Sequence, residues 1–240
     1  MRRRPGSDRR RSKWSLLLDL GLEPYESALA WQHWLVEAKK EGCLDQDVLI
    51  LVEHPPVITL GRRGDESHVI VSQQALARLG IQVYRVERGG DVTYHGPGQI
   101  VAYPILDLGR YRKDVGWYVR SLEEVIIRSL ADFGIEAGLR EGLIGVWVGE
   151  GKIAAIGARI EQWITYHGLA LNVDPDMRHF DLIVPCGIAD KDVISMAQVL
   201  GCPVPLTQVR RSLVRHFAEV FDTQLEEVSL SELEARLEGG

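Results

Sequence analysis

Apolar residues recur at two different spacings along the chain, and the two spacings predict helices and strands in comparable amounts. Spacings of three and four residues, bounded by capping residues and glycines, indicate amphipathic helices. Serine followed three residues later by glutamate or glutamine marks several helix starts. The predicted helices are Pro24–Glu41, Ser72–Leu79, Ser121–Gly134, Ser195–Gly201, a segment that Thr207 opens, and a last one capped by Ser231 and Glu234.

Short runs rich in β-branched residues lie between these helices and predict strands. Gly149–Gly151 is typical of a tight hairpin turn, and a second turn is expected near Gln162. Strands that follow one another through short turns favour an antiparallel or mixed sheet over a doubly wound parallel one. Residues 203–240 are expected to pack as a small helical appendix. The predicted strands are Ser15–Asp19, Val48–Glu53, Gln82–Glu87, Ile100–Pro104, Ile144–Val148, Lys152–Ile160 and Ile164–Asn172.

The 240 residues suit one domain, and their net charge of -6 is unevenly distributed. Residues 1–13 carry a local charge of +6 and are predicted to form a disordered basic tail. That tail is either an arm for an acidic partner or nucleic acid, or a dispensable extension. Residues 14–240 are predicted to form a single domain with a helical C-terminal part. No apolar run approaches the roughly 20 residues of a membrane span. Neither a membrane nor a nucleic acid is expected as a partner of this domain.

Three cysteines, Cys43, Cys186 and Cys202, are widely spaced and form no C-x-x-C motif. This usage argues against a disulfide scaffold and against a structural zinc site. It favours a reducing, cytoplasmic compartment, in which most cysteines behave as small apolar side chains.

The segment Arg88–Gln99 contains four glycines and a proline among arginine, aspartate, threonine, tyrosine and histidine. It shows no repeating helix or strand face, and its glycines allow another group to approach the backbone closely. Neither the G-x-x-x-x-G-K-[ST] nor the G-x-G-x-x-G spacing of phosphate-binding loops is met. Pro97 also removes a backbone N–H that an anion would need. We interpret the segment as the wall of a binding site; a stiff connector between strands is the plainer alternative.

Two residues farther along the chain are candidates for chemistry at a carbonyl group. Cys186 stands between Pro185 and Gly187, which would present it at a fixed angle beside backbone N–H groups able to stabilise an oxyanion. A nucleophilic thiol also needs a nearby positive charge or base, and histidines and lysines are the candidates. Lys152 begins an otherwise apolar strand, where it either faces a site or protects a sheet edge from aggregation. A buried cysteine in a turn and an edge lysine are the plainer interpretations.

Taken together, six segments in order over about residues 14–201 resemble the lipoyl(octanoyl) transferases, which make octanoylated lipoyl domains. The long glycine-rich segment and the cysteine motif are the most specific of the six. The N-terminal tail and the C-terminal helices lie outside the most distinctive part. The segments are His54–Val57 with Thr59–Arg62, Arg88–Gln99, Gly145–Trp147, Lys152–Gly157, Gly168–Val173 and Pro185–Ile188.

The resemblance implies an α/β (α+β) fold like that of the biotin and lipoate protein ligases, with a mixed, largely antiparallel sheet flanked by helices. It implies that Cys186 is the acyl-thioester nucleophile and that Lys152 lowers its pKa, with no metal and no cofactor. The loop glycines would then admit an acyl chain and its carbonyl at close range. The implied substrate-binding residues are Arg88, Gly89, Gly90, Asp91, Val92, Thr93, Tyr94, His95, Ala155, Ile156, Gly157, Gly168, Leu169 and Ala170.

The same resemblance implies transfer of an octanoyl group to a specific lysine, the first step of endogenous protein lipoylation. Octanoyl-acyl carrier protein is the expected donor. Lipoyl domains of 2-oxoacid dehydrogenase complexes and the glycine cleavage H protein are the expected acceptors. One thioester replaces another nearly isoenergetically, so ATP is not required. A monomer is expected, because no sustained heptad pattern is present.

Three other activities share parts of this pattern. An ATP-dependent lipoate or biotin ligase would need a nucleotide site and no catalytic cysteine. A non-catalytic protein that binds acyl carriers would tolerate loss of Cys186. A hydrolase would release free octanoate, because water would reach its acyl-enzyme.

Several polar residues keep two interpretations. His95 is expected either to orient the loop or to touch the thioester, and His167 either to line the site or to face the sheet. His54 and His179 are expected to be structural. The basic residues that could meet an acidic carrier surface are Arg62, Arg63, Arg110, Arg112 and Lys113.

Overall fold

A computed structural model describes residues 14–184 and 192–238, and it contains two sheets. The larger sheet has eight strands in the order β11-β1-β2-β6-β10-β9-β8-β7, and the smaller has the order β4-β3-β5. The strands are β1 Trp14–Leu22, β2 Val48–Glu53, β3 Val57–Leu60, β4 Gln82–Arg85, β5 Val92–His95, β6 Gln99–Ile105, β7 Gly138–Arg140, β8 Leu143–Val148, β9 Gly151–Glu161, β10 Ile164–Asn172 and β11 Gln224–Glu227.

Helices cover both faces of the larger sheet. Their bounds are α1 Tyr25–Glu41, α2 Gln73–Arg78, α3 Val115–Ala131, α4 Met196–Leu200, α5 Leu206–Val220 and α6 Leu230–Glu238. In β2, the buried Leu49 and Leu51 belong to the core under α3 and α5, whereas Val48, Ile50 and Val52 belong to the core under α1. A strand buried on both faces reads as a continuous apolar run rather than an alternation, as β2 does.

The larger sheet is mixed, as the sequence predicts. Strand β1 runs parallel to both β11 and β2, whereas the pairs from β2 through β7 are all antiparallel. Strands β2 and β10 have the bounds that the sequence predicts. The expectation that Arg88–Gln99 carries no strand is wrong, because β5 lies inside it and pairs with β3.

Two predicted helix starts are also wrong. The carboxylate of Asp114 accepts a hydrogen bond from the Trp117 amide at 2.9 Å, so α3 begins six residues before Ser121. The Ser121 hydroxyl instead donates to the carbonyl of Trp117 inside the helix. At α6, Ser229 and Glu232 form the reciprocal cap in place of Ser231 and Glu234. The capping box at Ser195 and Gln198 is confirmed.

The C-terminal part is not a separate helical appendix. Strand β11 extends the larger sheet beside β1. Phe217 and Phe221, both buried, join the same core as Leu122 and Val125 of α3. Within the described ranges, no helix is both long enough and apolar enough to cross a lipid bilayer.

Candidate active site

A cleft of about 790 Å³, its open mouth included, lies between the two sheets. Strand β5 and the loop before it form one wall, and β6, β9 and β10 form the other. All the predicted site residues that the structure describes line this cleft, except Tyr94. Those lining it are Arg88, Gly89, Gly90, Asp91, Val92, Thr93, His95, Lys152, Ala155, Ile156, Gly157, Gly168, Leu169 and Ala170.

Tyr94 and Cys186 are the predicted residues not placed in the cleft. Tyr94 is buried in the core of the smaller sheet, where its hydroxyl lies 2.8 Å from Nδ1 of His179. His179 thus has a structural contact, as expected. Cys186 belongs to residues 185–191, outside the described ranges. On the two sides of that gap, Val184 donates its amide hydrogen to the His68 carbonyl, and Val193 lines the cleft.

Lys152 enters the cleft from the start of β9. Because β9 lies between β8 and β10, Lys152 is not on an edge strand, which removes the edge-protection interpretation. Its Nζ lies 5.6 Å from the ring centre of Trp147. A Cβ at Gly145 would lie 2.5 Å from Cε of Lys152, so glycine there makes room for the lysine stem. The Lys152 amide donates a hydrogen bond to the carbonyl of Asp192, and the Lys152 carbonyl accepts one from the amide of Ile194.

The loop Arg88–Asp91 joins the two sheets through its backbone. The amides of Arg62 and Arg63 donate to the carbonyls of Arg88 and Gly90, at 3.0 and 3.1 Å. On the other side, the Gly89 amide donates to the carbonyl of Ala158 in β9 at 3.0 Å. The loop is therefore held from both walls before any ligand binds.

Two glycines of the motif segments are required by the protein's own packing, whereas a Cβ at Gly89 or Gly90 would meet no atom closer than 3.2 Å, so the admission of an acyl chain there stays a prediction. A Cβ at Gly98, whose φ is +87°, would lie 2.3 Å from the Asp174 carbonyl oxygen. A Cβ at Gly168 would lie 2.2 Å from the carbonyl oxygen of Ala102 in β6. Real side chains do not approach backbone this closely, so these sites need glycine even when the cleft is empty.

Arg88 is buried and holds the loop to β3. Its Nη2 donates to the Thr59 carbonyl at 2.7 Å and its Nε to the Thr59 hydroxyl at 3.1 Å. Its Nη1 donates to the carbonyl of Gly89 at 3.0 Å. The geometry makes Arg88 a clamp on the cleft wall, with its stem against Gly157.

His95 stands at the head of a buried hydrogen-bond chain. Its Nδ1 donates to Oε1 of Gln99 at 2.7 Å, and Nε2 of Gln99 donates to Oδ1 of Asn172 at 2.8 Å. Nδ2 of Asn172 then donates to the carbonyl of Ile194 at 3.1 Å. Burial lowers the pKa of His95 to about 3, so the ring is neutral at pH 7 and Nε2 is an acceptor. His95 is thus oriented by the loop and lines the cleft as well.

His167 and His54 are also buried and neutral. Burial lowers the pKa of His167 to about 3 and that of His54 to about 4. His54 donates from Nδ1 to the Glu23 carbonyl and accepts the Tyr103 hydroxyl at Nε2, a structural role as expected. His167 lines the cleft, which decides between its two interpretations.

Sequence reasoning missed several residues that line the cleft. Gln99 and Asn172 each stand as a polar residue at the end of an apolar strand, a signal that could have found them. Tyr25, at the start of α1, gives no such signal. The missed residues are Tyr25, Gln99, Val101, Tyr103, Ala154, Asn172, Phe180 and Val193.

Five basic residues were considered for contact with an acidic carrier, and two of them lie beside the cleft loop. Arg110 is paired with Asp45 and Arg112 with Asp114, and Lys113 lies over the ring of Trp163. Arg62 and Arg63 are exposed next to the cleft loop. Within residues 14–184 and 192–238, no group of three or more potential ligands is placed to hold a metal ion.

The arrangement suits an extended apolar acyl group. Alanine, valine, leucine and isoleucine side chains contribute most of the wall that β6, β9 and β10 form, with a lysine ammonium at one end to attract a thiolate or an oxyanion. The His95 and His167 imidazoles are neutral at pH 7 and add no positive charge to that of Arg88 and Lys152.

Known proteins are similar to this chain in sequence and in fold. The model of the lipoyl protein ligase A/B catalytic domain matches residues 24–218. An octanoyltransferase of Solibacter usitatus is 51% identical over 209 residues, covering 87% of this chain and 94% of the relative. One of Gloeobacter violaceus is 49% identical over 212 residues, covering 88% and 92%.

Solved structures show the fold. A crystal structure of lipoate-protein ligase A bound with ATP has a TM-score of 0.75 at 19% identity, covering 93% of this chain and 92% of the other. A biotin protein ligase from Aquifex aeolicus has a TM-score of 0.51 at 11% identity, covering 87% and 69%. The predicted fold class is thereby confirmed. With these matches over most of its length, the chain belongs to the octanoyltransferases of the lipoyl protein ligase A/B catalytic domain family.

Proposed function

We propose that this acyltransferase takes its octanoyl group from an acyl carrier protein and holds it as a thioester on Cys186. Relatives at about half identity are octanoyltransferases, so the chain transfers octanoyl groups in protein lipoylation. The observation that supports the carrier route is the position of Lys152, at the end of an apolar cleft and hydrogen-bonded through its backbone to Asp192, just after the Cys186 segment.

The first half of the reaction exchanges thioesters. The Cys186 thiolate attacks the carbonyl carbon of the octanoyl thioester, and the carbonyl π electrons move onto oxygen. Collapse of this oxyanion expels the carrier's thiolate, which takes a proton from the Lys152 ammonium. Lys152 thus stabilises the Cys186 thiolate before attack and supplies the proton afterwards. The bond formed and the bond broken are both thioesters, so no ATP is consumed.

The second half forms an amide. The side-chain amine of the acceptor lysine attacks the Cys186 thioester, and neutral Lys152 takes the proton that the nitrogen loses. The Cys186 thiolate leaves, and the Lys152 ammonium again lies beside it. An amide is more stable than a thioester, which drives the transfer forward. Lipoyl domains of 2-oxoacid dehydrogenase complexes and the glycine cleavage H protein are the acceptors we propose.

An ATP-dependent ligase is the nearest alternative on this fold, because the structural neighbours include a lipoate-protein ligase bound with ATP. The curated relatives at 51% and 49% identity favour the transferase. We also propose that the protein is a monomer and that it works in the cytoplasm. Cys43 and Cys202 are both exposed and free, as suits a reducing compartment.

The test is the intact mass of the protein after mixing with octanoyl-acyl carrier protein in the absence of ATP. The expected result is one octanoyl adduct that is lost in Cys186→Ala and retained in Cys43→Ala and Cys202→Ala. The two controls remove the free, exposed thiols. An adduct that survives Cys186→Ala, or one that forms only with ATP, would contradict the proposal. Release of free octanoate with a lipoyl domain present would indicate a hydrolase instead.

A further inference from the structure

His167 occupies the end of the cleft opposite Lys152. Along β10 the cleft is lined from Asn172 to His167, and along β9 from Lys152 to Gly157. His167 pairs with Ala158, the next residue of β9, and neither Ala158 nor Tyr166 reaches the cleft. The cleft therefore runs along these two strands and ends at the His167 imidazole.

The backbone of His167 departs from regular strand geometry and places its ring beside Tyr103, which also lines the cleft. Along β10, Leu169 and Leu171 face the core under α3, whereas Tyr166 and Ala170 face the core under α1. Regular alternation would place His167 with Leu169. Its φ of +53° lies in the left-handed region, and its ring stacks on Tyr166 instead, with centroids 5.0 Å apart.

Hydrogen bonds of the His167 ring do not account for this orientation. Both ring nitrogens of His167 are buried, and neither has a hydrogen-bond partner among the described residues. The ring is fixed by contacts alone, with Tyr166 on its face and Tyr103 at 6.3 Å. The His167 amide donates to the side-chain oxygen of Gln32 in α1 at 2.7 Å, which holds the turned backbone. Strain and unpaired polar atoms at one residue are typical of functional positions.

The cleft is long enough to hold a medium acyl chain. From Asn172 to His167 is five strand steps, roughly 17 Å at about 3.3 Å per residue. Atoms at each end occupy several ångströms of that span. An extended octanoyl chain covers roughly 9 Å at standard C–C geometry. The wall that β9 and β10 form between the two ends consists of glycine, alanine, leucine and isoleucine, so the chain can lie along it with its methyl end toward His167.

We propose that the His167 imidazole closes the far end of the acyl cleft and sets the upper limit on chain length. The proposal rests on the proposed function in one respect, the placement of the thioester carbonyl at the Lys152 end. Arg88, clamped to Thr59 and packed against Gly157, closes the same end from the other wall. Arg88 stays in place when the imidazole is removed, so the cleft would lengthen along the β10 side, where the ring stood.

The test is a competition between octanoyl- and dodecanoyl-acyl carrier protein, with the two adducts measured by intact mass. The variant is His167→Gly, because glycine accepts a φ of +53° and removes the ring. We expect the dodecanoyl-to-octanoyl ratio to rise about 10-fold or more, since each additional buried methylene is worth about fourfold. His167→Asn, which also tolerates this backbone, is expected to give a smaller rise.

Gln162→Gly is the matched control. Gln162 has a φ of +49° in the turn between β9 and β10 and does not line the cleft, so this change relieves similar strain without altering the cavity. The ratio in this variant should equal that of the wild type. An unchanged ratio in both His167 variants, or an equal rise in Gln162→Gly, would overturn the proposal. A wild type that forms no octanoyl adduct would instead show that the proposed function has failed. The limit on chain length that we assign to His167 would fail with it.

Discussion

Nδ1 of His95 lies 2.7 Å from Oε1 of Gln99, and this one hydrogen bond fixes the tautomer of a buried imidazole at the cleft. Gln99 can accept there only because its amide nitrogen is committed to Asn172 and to the Tyr94 carbonyl. The chain continues through Asn172 to the carbonyl of Ile194, whose amide donates to Lys152. The acceptor face of His95 and the backbone of Lys152 are therefore held by one network.

Gln99→Leu should test that network. The change leaves Nδ1 of His95 and Oδ1 of Asn172 buried without their partners, so we expect a loss of about 1–3 kcal/mol in the free energy of unfolding. Octanoyl transfer should also slow, because the His95 ring is no longer oriented. Urea denaturation measures the first effect. The same substitution at the exposed Gln73 is the control and should change stability by less than about 0.5 kcal/mol. Equal effects at the two sites would contradict the network's role.

Lys152→Met should raise the pKa of the Cys186 thiol if the two residues form the proposed pair. An adjacent cation lowers a thiol pKa by roughly one to three pH units, and methionine keeps the stem but removes the charge. The pH dependence of Cys186 alkylation, followed by peptide mass, measures the change. Lys113→Met is the matched control, because Lys113 also lies over a tryptophan ring, 5.9 Å from that of Trp163. An alkylation profile for Lys152→Met that overlays the wild type would exclude the pairing.

Reversing the charges of Arg62 and Arg63 should weaken binding of the acyl carrier. Both are exposed, and their amides bond to the cleft loop, so their side chains lie near the route that a carrier-bound acyl group takes. Acyl carriers are acidic, and we expect KM to rise about 10-fold in the double variant, with a smaller change in kcat and a weaker dependence on salt. Arg211→Glu, an exposed change on α5, is the control. A KM that moves as much in the control would assign the effect to net charge.

The ion pair between His68 and Asp91 should make stability depend on pH. The two side chains lie 2.7 Å apart, and the hydrogen bond to Asp91 raises the pKa of His68 above its ordinary 6.5. A raised folded pKa stabilises the protein fully below about pH 6.5, and that contribution is lost as the pH rises through the raised value. The stability difference between wild type and His68→Asn should therefore shrink from pH 6 to pH 9.

Asp91→Asn provides the control for that measurement. In an Asp91→Asn background, the His68 substitution should have the same effect at both pH values, because the carboxylate that raises the His68 pKa is gone. A difference that persists with pH in this background would place its origin elsewhere.

Local periodicity was enough to predict most of the regular structure. Strand β2 and helix α1 are continuous in sequence, and their buried positions repeat at the period of the element itself. The errors arose where two local signals competed. Both Asp114 and Ser121 can cap a helix, and only packing of the first turn of α3 selects Asp114. Strand β5 was missed because its pairing partner, β3, lies more than thirty residues earlier.

The candidate site, too, has features that the sequence predicted and features that it did not. Motifs in the sequence identified the loop after Arg88, the strand after Lys152 and the strand after His167 as parts of one site, because each motif is a short contiguous run. The sequence could not show that Tyr94 faces away from the cleft while His95 lines it. Side chains of adjacent strand residues point to opposite faces, and which face meets the cleft is set by pairing with β3.

The sequence by itself determined the family, the order of the main elements and the residue types available for acyl transfer. Only the tertiary structure decided that Gly98 is required by the neighbouring backbone of Asp174, that Arg88 is bound to Thr59, and that His167 lines the cleft. These features depend on contacts between residues far apart in the chain. The spacing of residues within one short segment does not determine which distant residues that segment will contact.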